Sequence, residues 1–334
     1  MKPRILIVSL ISVCLLTFAP LVFGWGMWGH QHINRAAIFA LPEDMRVFFF
    51  NHADFITEES TIPDLRKYTL NDKAENPRHF IDLEDYAFTQ DRIPKNMKEL
   101  SEKFDEKTTS KFGILPWYIQ EVMAKLTEAF KKNRRNEILF LAADLGHYIA
   151  DAHMPLHTST NHDGQLTGQR GVHSFWEAQL PEYFGKTYNF KVNDARYISD
   201  VSAATWDIIN HSHGLVDTLL KTEKAARQKF TEETLFKKNA AGQTEKNMFG
   251  KNVYSYDYAT AFHSALNGMV ENQMRRSVQS LADFWYTAWV NAGKPDLGKL
   301  DSPEVTRRNS KAYKYELKLY RQGKLSGFLP DKEY

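Results

Sequence analysis

His147 and Asp151 stand four residues apart in a stretch with helical apolar spacing, so both project from one face with β-carbons about 5–6 Å apart. His173 and Glu177 repeat that spacing farther along, and His157 lies between the two pairs, just past Pro155. A single histidine–carboxylate pair is ordinarily a solvated face. Two pairs plus a further histidine, set among Leu145, Tyr148, Ile149, Leu156, Phe175 and Trp176, read as ionisable groups turned inward. Such groups are costly unless paired or bound to a cation. Near the start, Trp25-Gly26-Met27-Trp28-Gly29-His30 offers another donor set. If the mature chain begins at Trp25, its amine and its own carbonyl chelate one cation, and His30 closes the site five positions later. Nitrogen and oxygen donors of these kinds are ligands that zinc accepts.

A three-part leader precedes Trp25. Lys2 and Arg4 supply the positive start, Ile5 to Ala19 is mostly apolar, and Val22-Phe23-Gly24 leads to the expected cleavage point. Residues 1–24 therefore read as a signal peptide, and the product as secreted or periplasmic. An uncleaved anchor is the alternative, but the apolar stretch falls short of the roughly 20 residues a spanning helix needs, and Pro20 interrupts it. No later segment is apolar enough to span a bilayer.

The chain carries 43 Lys and Arg against 41 Asp and Glu, and removing Lys2 and Arg4 leaves it formally neutral. That argues against a protein held to DNA or anionic lipid by bulk charge alone. Cys14 is the only cysteine and lies in the leader. An exported protein without disulfides relies on its core and any metals for stability, and its metal sites must use His, carboxylate and backbone groups.

The elements that must position these donors are helical, and the expected fold is all-α, with a single mostly helical domain. Apolar residues recur at three and four over His32 to Ala40, Pro116 to Phe130, Glu137 to Ala152, Val172 to Gln179, Ile198 to Thr222 and Tyr258 to Ala292. Polar loops are expected over Asn71 to Arg78, Thr158 to Arg170 and Lys237 to Asn252. The expected division is a domain over 25–295 and a basic tail over 296–334. In that tail regular periodicity fades, apart from one short helix from Pro303 to Gln322.

Trp25-Gly26-x-x-Gly29-His30, Pro63-Asp64, Arg78-His79-Phe80-Ile81-Asp82, the run from His147 to His157, and Val172-His173-Ser174-Phe175-Trp176-Glu177 fall in order along the chain. This series resembles the superfamily that unites zinc-dependent phospholipase C with the single-strand-specific zinc nucleases. The resemblance implies a helical domain with three zinc ions at the base of a cleft. Asp64, His79 and His147 would hold one, and His157, His173 and Glu177 a second. The Trp25 amine and carbonyl with His30 would hold the third, and Asp151 would bridge the first and third. It also implies that Asp64 is catalytic, orienting a water or accepting its proton, with a purely ligating role as the alternative. Asp82 or Asp144 is expected to orient a ligating histidine, with a surface or capping role the alternative for Asp144. From the residues alone, Asp64 reads as a turn acid after Pro63 and His79 as an ordinary histidine.

Clustered cations neutralise phosphate oxygens, lower the pKa of water and stabilise a leaving oxygen, so the expected enzyme is a zinc-dependent phosphoester hydrolase. Its substrate is a phospholipid or nucleic-acid phosphodiester, and no obligate protein partner is evident. The compact Trp-Gly-x-x-Gly-His start looks like the nucleases. Thr160-Asn161 leading to Gly171-Val172-His173, with Glu177 as final ligand, looks like the phospholipases. The reading leans to a phospholipase C-like phosphodiesterase. A single-strand nuclease/3′-nucleotidase is the alternative, and a secreted zinc-binding protein without activity is a second. His32 and His153 read as structural, and His211 and His213 as a polar helix end. Trp117, Tyr118, Phe284, Trp285, Tyr286 and Trp289 read as core.

Overall fold

The structure, a computed structural model, describes residues 25–86, 93–247 and 250–325. The expected leader and the end of the expected tail lie outside them. In chain order the helices are α1 Gly26–Ile38, α2 Glu43–Asn51, α3 Ala53–Glu59, α4 Ile62–Tyr68, α5 Leu83–Tyr86, α6 Met97–Lys103, α7 Glu106–Phe112, α8 Leu115–Lys131 and α9 Arg135–Ala152. They continue with α10 Val172–Ser174, α11 Leu180–Phe184, α12 Val201–His213, α13 Val216–Arg227, α14 Glu232–Leu235, α15 Tyr256–Ala265, α16 Met269–Asn291 and α17 Pro303–Arg321. The fold is all-α. Extended pairing among the described residues is confined to isolated antiparallel bridges, such as Phe236 with Tyr254, that fold the 237–252 loop on itself.

Two runs expected as continuous helices are each divided, for local reasons. The 198–222 run breaks after His213, where Gly214 is a poor helix residue and the chain turns into α13. The 258–292 run breaks at Asn267-Gly268, both in the left-handed region at φ 49° and 79°, which an α-helix cannot contain. Asp64 is not in a turn. It sits in the first turn of α4, behind Pro63 at a position where proline fits a helix.

Helix α9 is central and packs against α1, α3, α8 and α16. Its Ile138, Leu139, Ala142, Leu145 and Ile149 enter the main core with Trp117, Phe130, Trp285 and Phe49. Gly146 lets α1 approach closely, because a β-carbon there would fall 2.1 Å from Asn34 Oδ1. Asn34 Nδ2 in turn donates to the His30 carbonyl at 3.1 Å. This contact brings α1 alongside α9, where the His30 and His147 rings stack with centroids 3.9 Å apart.

The tail is more ordered than its composition suggests. Helix α17 packs on α2, and Glu316 receives both Nη2 and Nε of Arg35 at 2.9 and 3.2 Å. Its inward face also uses Tyr313, bonded to Arg46 Nε at 3.0 Å, and the buried Tyr320. Charged residues fill the outer face and Glu316 joins Tyr313, Leu317 and Tyr320 on the inner one, so the segment's basic composition masks its apolar side.

Gly146→Ala should cost about 1–3 kcal/mol by overpacking the α1–α9 contact. The expected observation is a lower urea midpoint with an unchanged m value; an unchanged midpoint would mean that the helices separate freely.

Candidate metal centre

Six segments converge under the core. Helix α1 delivers His30, α4 Asp64, the 3₁₀ turn Asn76–His79 delivers His79, and α9 carries His147 and Asp151. Past the end of α9, the 3₁₀ turn Pro155–Thr158 carries His157 back, held by the Ile81 N–H donating to the His157 carbonyl at 2.8 Å. His173 lies in α10, and Glu177 lies where the helix widens into a π turn over Phe175–Gln179. The stretch expected as one regular helix thus opens at the residue it presents.

Asp151 is fully buried, and four histidines surround it. Its Oδ2 lies 2.9 Å from His79 Nδ1 and 3.2 Å from His147 Nε2, while Oδ1 lies 3.5 Å from both His30 Nε2 and His157 Nδ1. Asp64 Oδ1 stands 3.7 Å from His79 Nδ1 and 4.0 Å from His147 Nε2. In a second group, His157 Nε2 lies 3.2 Å from His173 Nε2 and 3.4 Å from Glu177 Oε2, and His173 Nε2 is 3.2 Å from Glu177 Oε1. Donors around a tetrahedral zinc at about 2.0–2.1 Å stand roughly 3.3–3.4 Å apart. These separations scatter about that value.

The proton inventory also fits a cation better than a hydrogen-bonded core. His147 Nδ1 donates to the Ser60 carbonyl at 2.8 Å and His173 Nδ1 to the His162 carbonyl at 2.8 Å, which makes Nε2 the ring atom aimed at the cluster, with a lone pair there whenever the ring is neutral. His30 Nδ1 and Nε2, Asp151 Oδ1 and His157 Nδ1 are buried without a hydrogen-bond partner. Such orphans are rare in a settled interior. Burial pulls His147 down, but Asp151 and Asp64 outweigh it and push its pKa up to about 9. Burial and then His147 hold His30 well below the usual range, so it stays neutral. Burial alone would raise Asp151 and Glu177, yet the surrounding histidines hold both low, as carboxylates. The pocket demands positive charge that its rings cannot all provide.

The side chains therefore form three groups whose donors lie within 4.8 Å of one another: Asp64, His79 and His147; His157, His173 and Glu177; and His30, His147 and Asp151. Trp25 is buried beside them. Its backbone nitrogen lies 3.3 Å from Glu177 Oε2, its indole Nε1 donates to the Ala150 carbonyl at 2.6 Å, and its carbonyl receives the Gly29 N–H at 3.1 Å.

A family model described as S1/P1 nuclease matches residues 25–292, from Trp25 to the end of α16. The chain belongs to the S1/P1 nuclease family. It is also similar to nuclease S1 of Aspergillus oryzae (strain ATCC 42149 / RIB 40), at 26% identity over 197 residues that cover 54% of this chain and 63% of that protein. Family membership corrects the substrate preference drawn from Glu177 and the Thr160-Asn161 segment: the nuclease alternative stands ahead of the phospholipase reading. Glu177 differs from aspartate by one methylene and presents the same donor atoms, so it is a weak guide to what the cleft accepts.

In this S1/P1 nuclease relative, five of the expected ligands (Asp64, His79, His157, His173 and Glu177) line a cavity of about 480 Å³, while His147 and Asp151 lie fully buried. Lys67, Lys111 and Lys251 share its walls with Tyr68 and Phe80. Lys251 comes from the 237–252 loop, which the sequence marked only as a surface excursion. The expectation for Asp82 and Asp144 is not met. Asp144 is taken by Arg66 Nη2 at 2.8 Å, and the Asp82 carboxyl makes no bond to a histidine among the described residues. Asp82 instead faces the cavity, pushed up to about 7 by burial and by Asp85 and Glu84.

The carboxylate that stands behind a histidine of the cluster is Glu75. It is fully buried, 3.4 Å from His79 Nε2, and receives Arg66 Nε at 3.1 Å, Arg78 Nη1 at 2.8 Å and the Tyr148 hydroxyl. Its position four before His79 matches the spacing of the other pairs, but Asn71 to Arg78 reads as loop and hides it. The other histidines are structural or peripheral. His153 Nδ1 donates to Ile149 O at 2.8 Å, and His32 Nδ1 donates to Trp28 O at 2.6 Å with its ring stacked on Trp28. His211 bonds Gln273 and His213 bonds Thr158. Glu75→Gln should lower metal affinity about 10–100-fold through loss of the charge behind His79, measured by chelator competition. Unchanged affinity would remove Glu75 from the site.

Proposed function

We propose that this chain is an exported zinc-dependent phosphodiesterase that hydrolyses single-stranded nucleic acid, with residues 25–295 as its catalytic unit. The observation that carries the reading is Asp151, a buried carboxylate held between His79 and His147 on one oxygen and His30 and His157 on the other. Three ions are proposed. Asp64, His79 and His147 would hold one, and His157, His173 and Glu177 another. His30 with the Trp25 amine and carbonyl would hold the third, and Asp151 would serve the first and third. Bound zinc supplies phosphate neutralisation, water acidification and leaving-oxygen stabilisation.

The chain's own groups do the rest. Asp64, at the cavity wall, orients the attacking water and accepts its proton at a carboxylate oxygen. Lys67, Lys111 and Lys251 are placed to receive the phosphates flanking the scissile one, and Tyr68 and Phe80 offer flat faces on which bases stack. Against a phospholipid, the lining holds only Leu156, Phe80 and Tyr68 as apolar or aromatic surface, too little to cover acyl chains. Among the described residues no helix is long and apolar enough to cross a membrane, and the leader-like residues 1–24 support export.

Zinc-loaded protein should contain close to three metals per chain and degrade single-stranded nucleic acid far faster than phosphatidylcholine, with nucleoside 3′-monophosphates assayed alongside. Asp64→Asn should lower kcat by roughly 10²–10⁴ at saturating zinc. Phosphatidylcholine turnover without nucleic-acid turnover, or full activity with one metal or none, would overturn the reading. Acidification should release the ions as histidines protonate from a reference pKa of about 6.5.

The amine is testable separately. A protein retaining one residue before Trp25 has an amide there, whose lone pair is delocalised into the preceding carbonyl. It should lose about one metal per chain and most turnover while remaining folded; Trp25→Ala with a free terminus should be milder. Full activity of the extended form would exclude the amine as a ligand.

A further inference from the structure

The outer face of α17 carries a line of cations that nothing in the fold uses. Arg307, Lys311, Lys314, Lys318 and Arg321 follow one another at alternating steps of four and three, so they lie along one stripe of the helix, about 21 Å long. All are exposed. Among the described residues none of them is in an ion pair, and the helix's other face is already spent on α2 and on Arg35. Surface lysines on a helix usually alternate with acids three or four residues away. Here the five cations stand at that spacing to one another; Arg307 alone of them has an acid three or four residues away, Glu304 in the first turn, with no ion pair between the two among the described residues, and Glu316 is turned inside.

The stripe does not end with the helix. Lys191 Nζ donates to the Arg321 carbonyl at 2.9 Å, and Arg275 Nη2 donates to the Lys191 carbonyl at 3.2 Å. Arg275 and the exposed Arg276 line a cavity of about 720 Å³ together with Asn193, Asn267 and Asn272. Two acids, Asp194 and Glu271, lie beside this path, and Glu271 is occupied by the Asn189 N–H at 2.9 Å.

We propose that α17 and the Arg275–Arg276 cavity form an exosite that holds the phosphate backbone of a single-stranded nucleic acid outside the metal centre. A linear polyanion relieves the repulsion along the whole stripe at once, releasing its counterions as it docks. An anionic membrane offers the same charge, but interfacial binding also needs an apolar face to bury, and that of α17 is already covered. The family match ends at residue 292, so the stripe lies outside the part shared with the family. The identity of the strand rests on the nuclease reading; the phosphate chemistry does not.

The test is binding of a fluorescein-labelled, phosphorothioate 30-nucleotide oligothymidylate to the zinc-loaded full chain at several salt concentrations. The triple variant Lys311→Gln, Lys314→Gln, Lys318→Gln should bind at least about tenfold more weakly at low salt, and the slope of log affinity against log salt should flatten by about two. Arg276→Gln should weaken binding further. A control variant with Lys107→Gln, Lys131→Gln and Lys229→Gln, equal in charge, should bind like wild type, and dinucleotide hydrolysis should be unchanged in the triple variant. Equal losses in triple and control variants, no loss in either, or a loss confined to phosphatidylserine vesicles would overturn the exosite. If the wild type hydrolyses no nucleic acid yet the triple variant still loses oligothymidylate binding, the exosite stands and the nuclease reading falls.

Discussion

Much of the structure depends on one buried carboxylate. Asp151 is inaccessible to solvent, and its ion-pair partners among the described residues are histidines, which burial keeps from all being charged. An uncompensated charge in such a place is severely destabilising. Its neighbours therefore have to be arranged so that cations can complete it. That requirement accounts for four histidine-bearing segments meeting at one side chain of α9, and for the close α1–α9 contact at Gly146 that lets His30 reach it.

Around this centre the fold builds supports in layers. Ser60 and His162 offer backbone carbonyls that fix the tautomers of His147 and His173. Glu75, with Arg66, Arg78 and Tyr148, places a buried ionised carboxylate behind His79. Arg66 also holds Asp144, so one guanidinium joins the turn that carries His79 to the helix that carries His147. Trp25 closes the floor, its indole bonded to α9 and its ring against Trp176, 4.9 Å between centroids. Each partner removes one orientation that a donor would otherwise sample.

The C-terminal helix is tied to the same framework from the other side. Arg35, on α1 like His30, is bound by Glu316 from α17 and by Asp54 from α3. The contact that anchors the basic helix therefore lies one to two turns along α1 from the ligand His30. The helix that bears the stripe and the histidine His30 are thus tied to the same helix, α1.

Local pattern in the sequence was enough for some of this. The pairs His147–Asp151 and His173–Glu177 are separated by one helical turn, and turn geometry alone places each pair on one face. The all-α class follows from apolar spacing for the same reason. Asp64 and His79 could not be read that way, because they lie on short elements whose partners His147 and Asp151 are far along the chain, and Glu75, although four before His79, lies in a stretch with no helical apolar spacing. Asp64 looked like a turn acid, His79 like any histidine, and Glu75 like part of a polar loop. The helix α17 was legible as a helix, but its place in the fold was not, because the burial of Glu316 makes sense only beside Arg35. Periodicity records how a residue relates to its own helix, and it determined which side chains face the same way. Which faces meet, which carboxylate stands behind which imidazole, and which lysines reach the cavity depend on contacts between distant segments, and those only the tertiary structure decided.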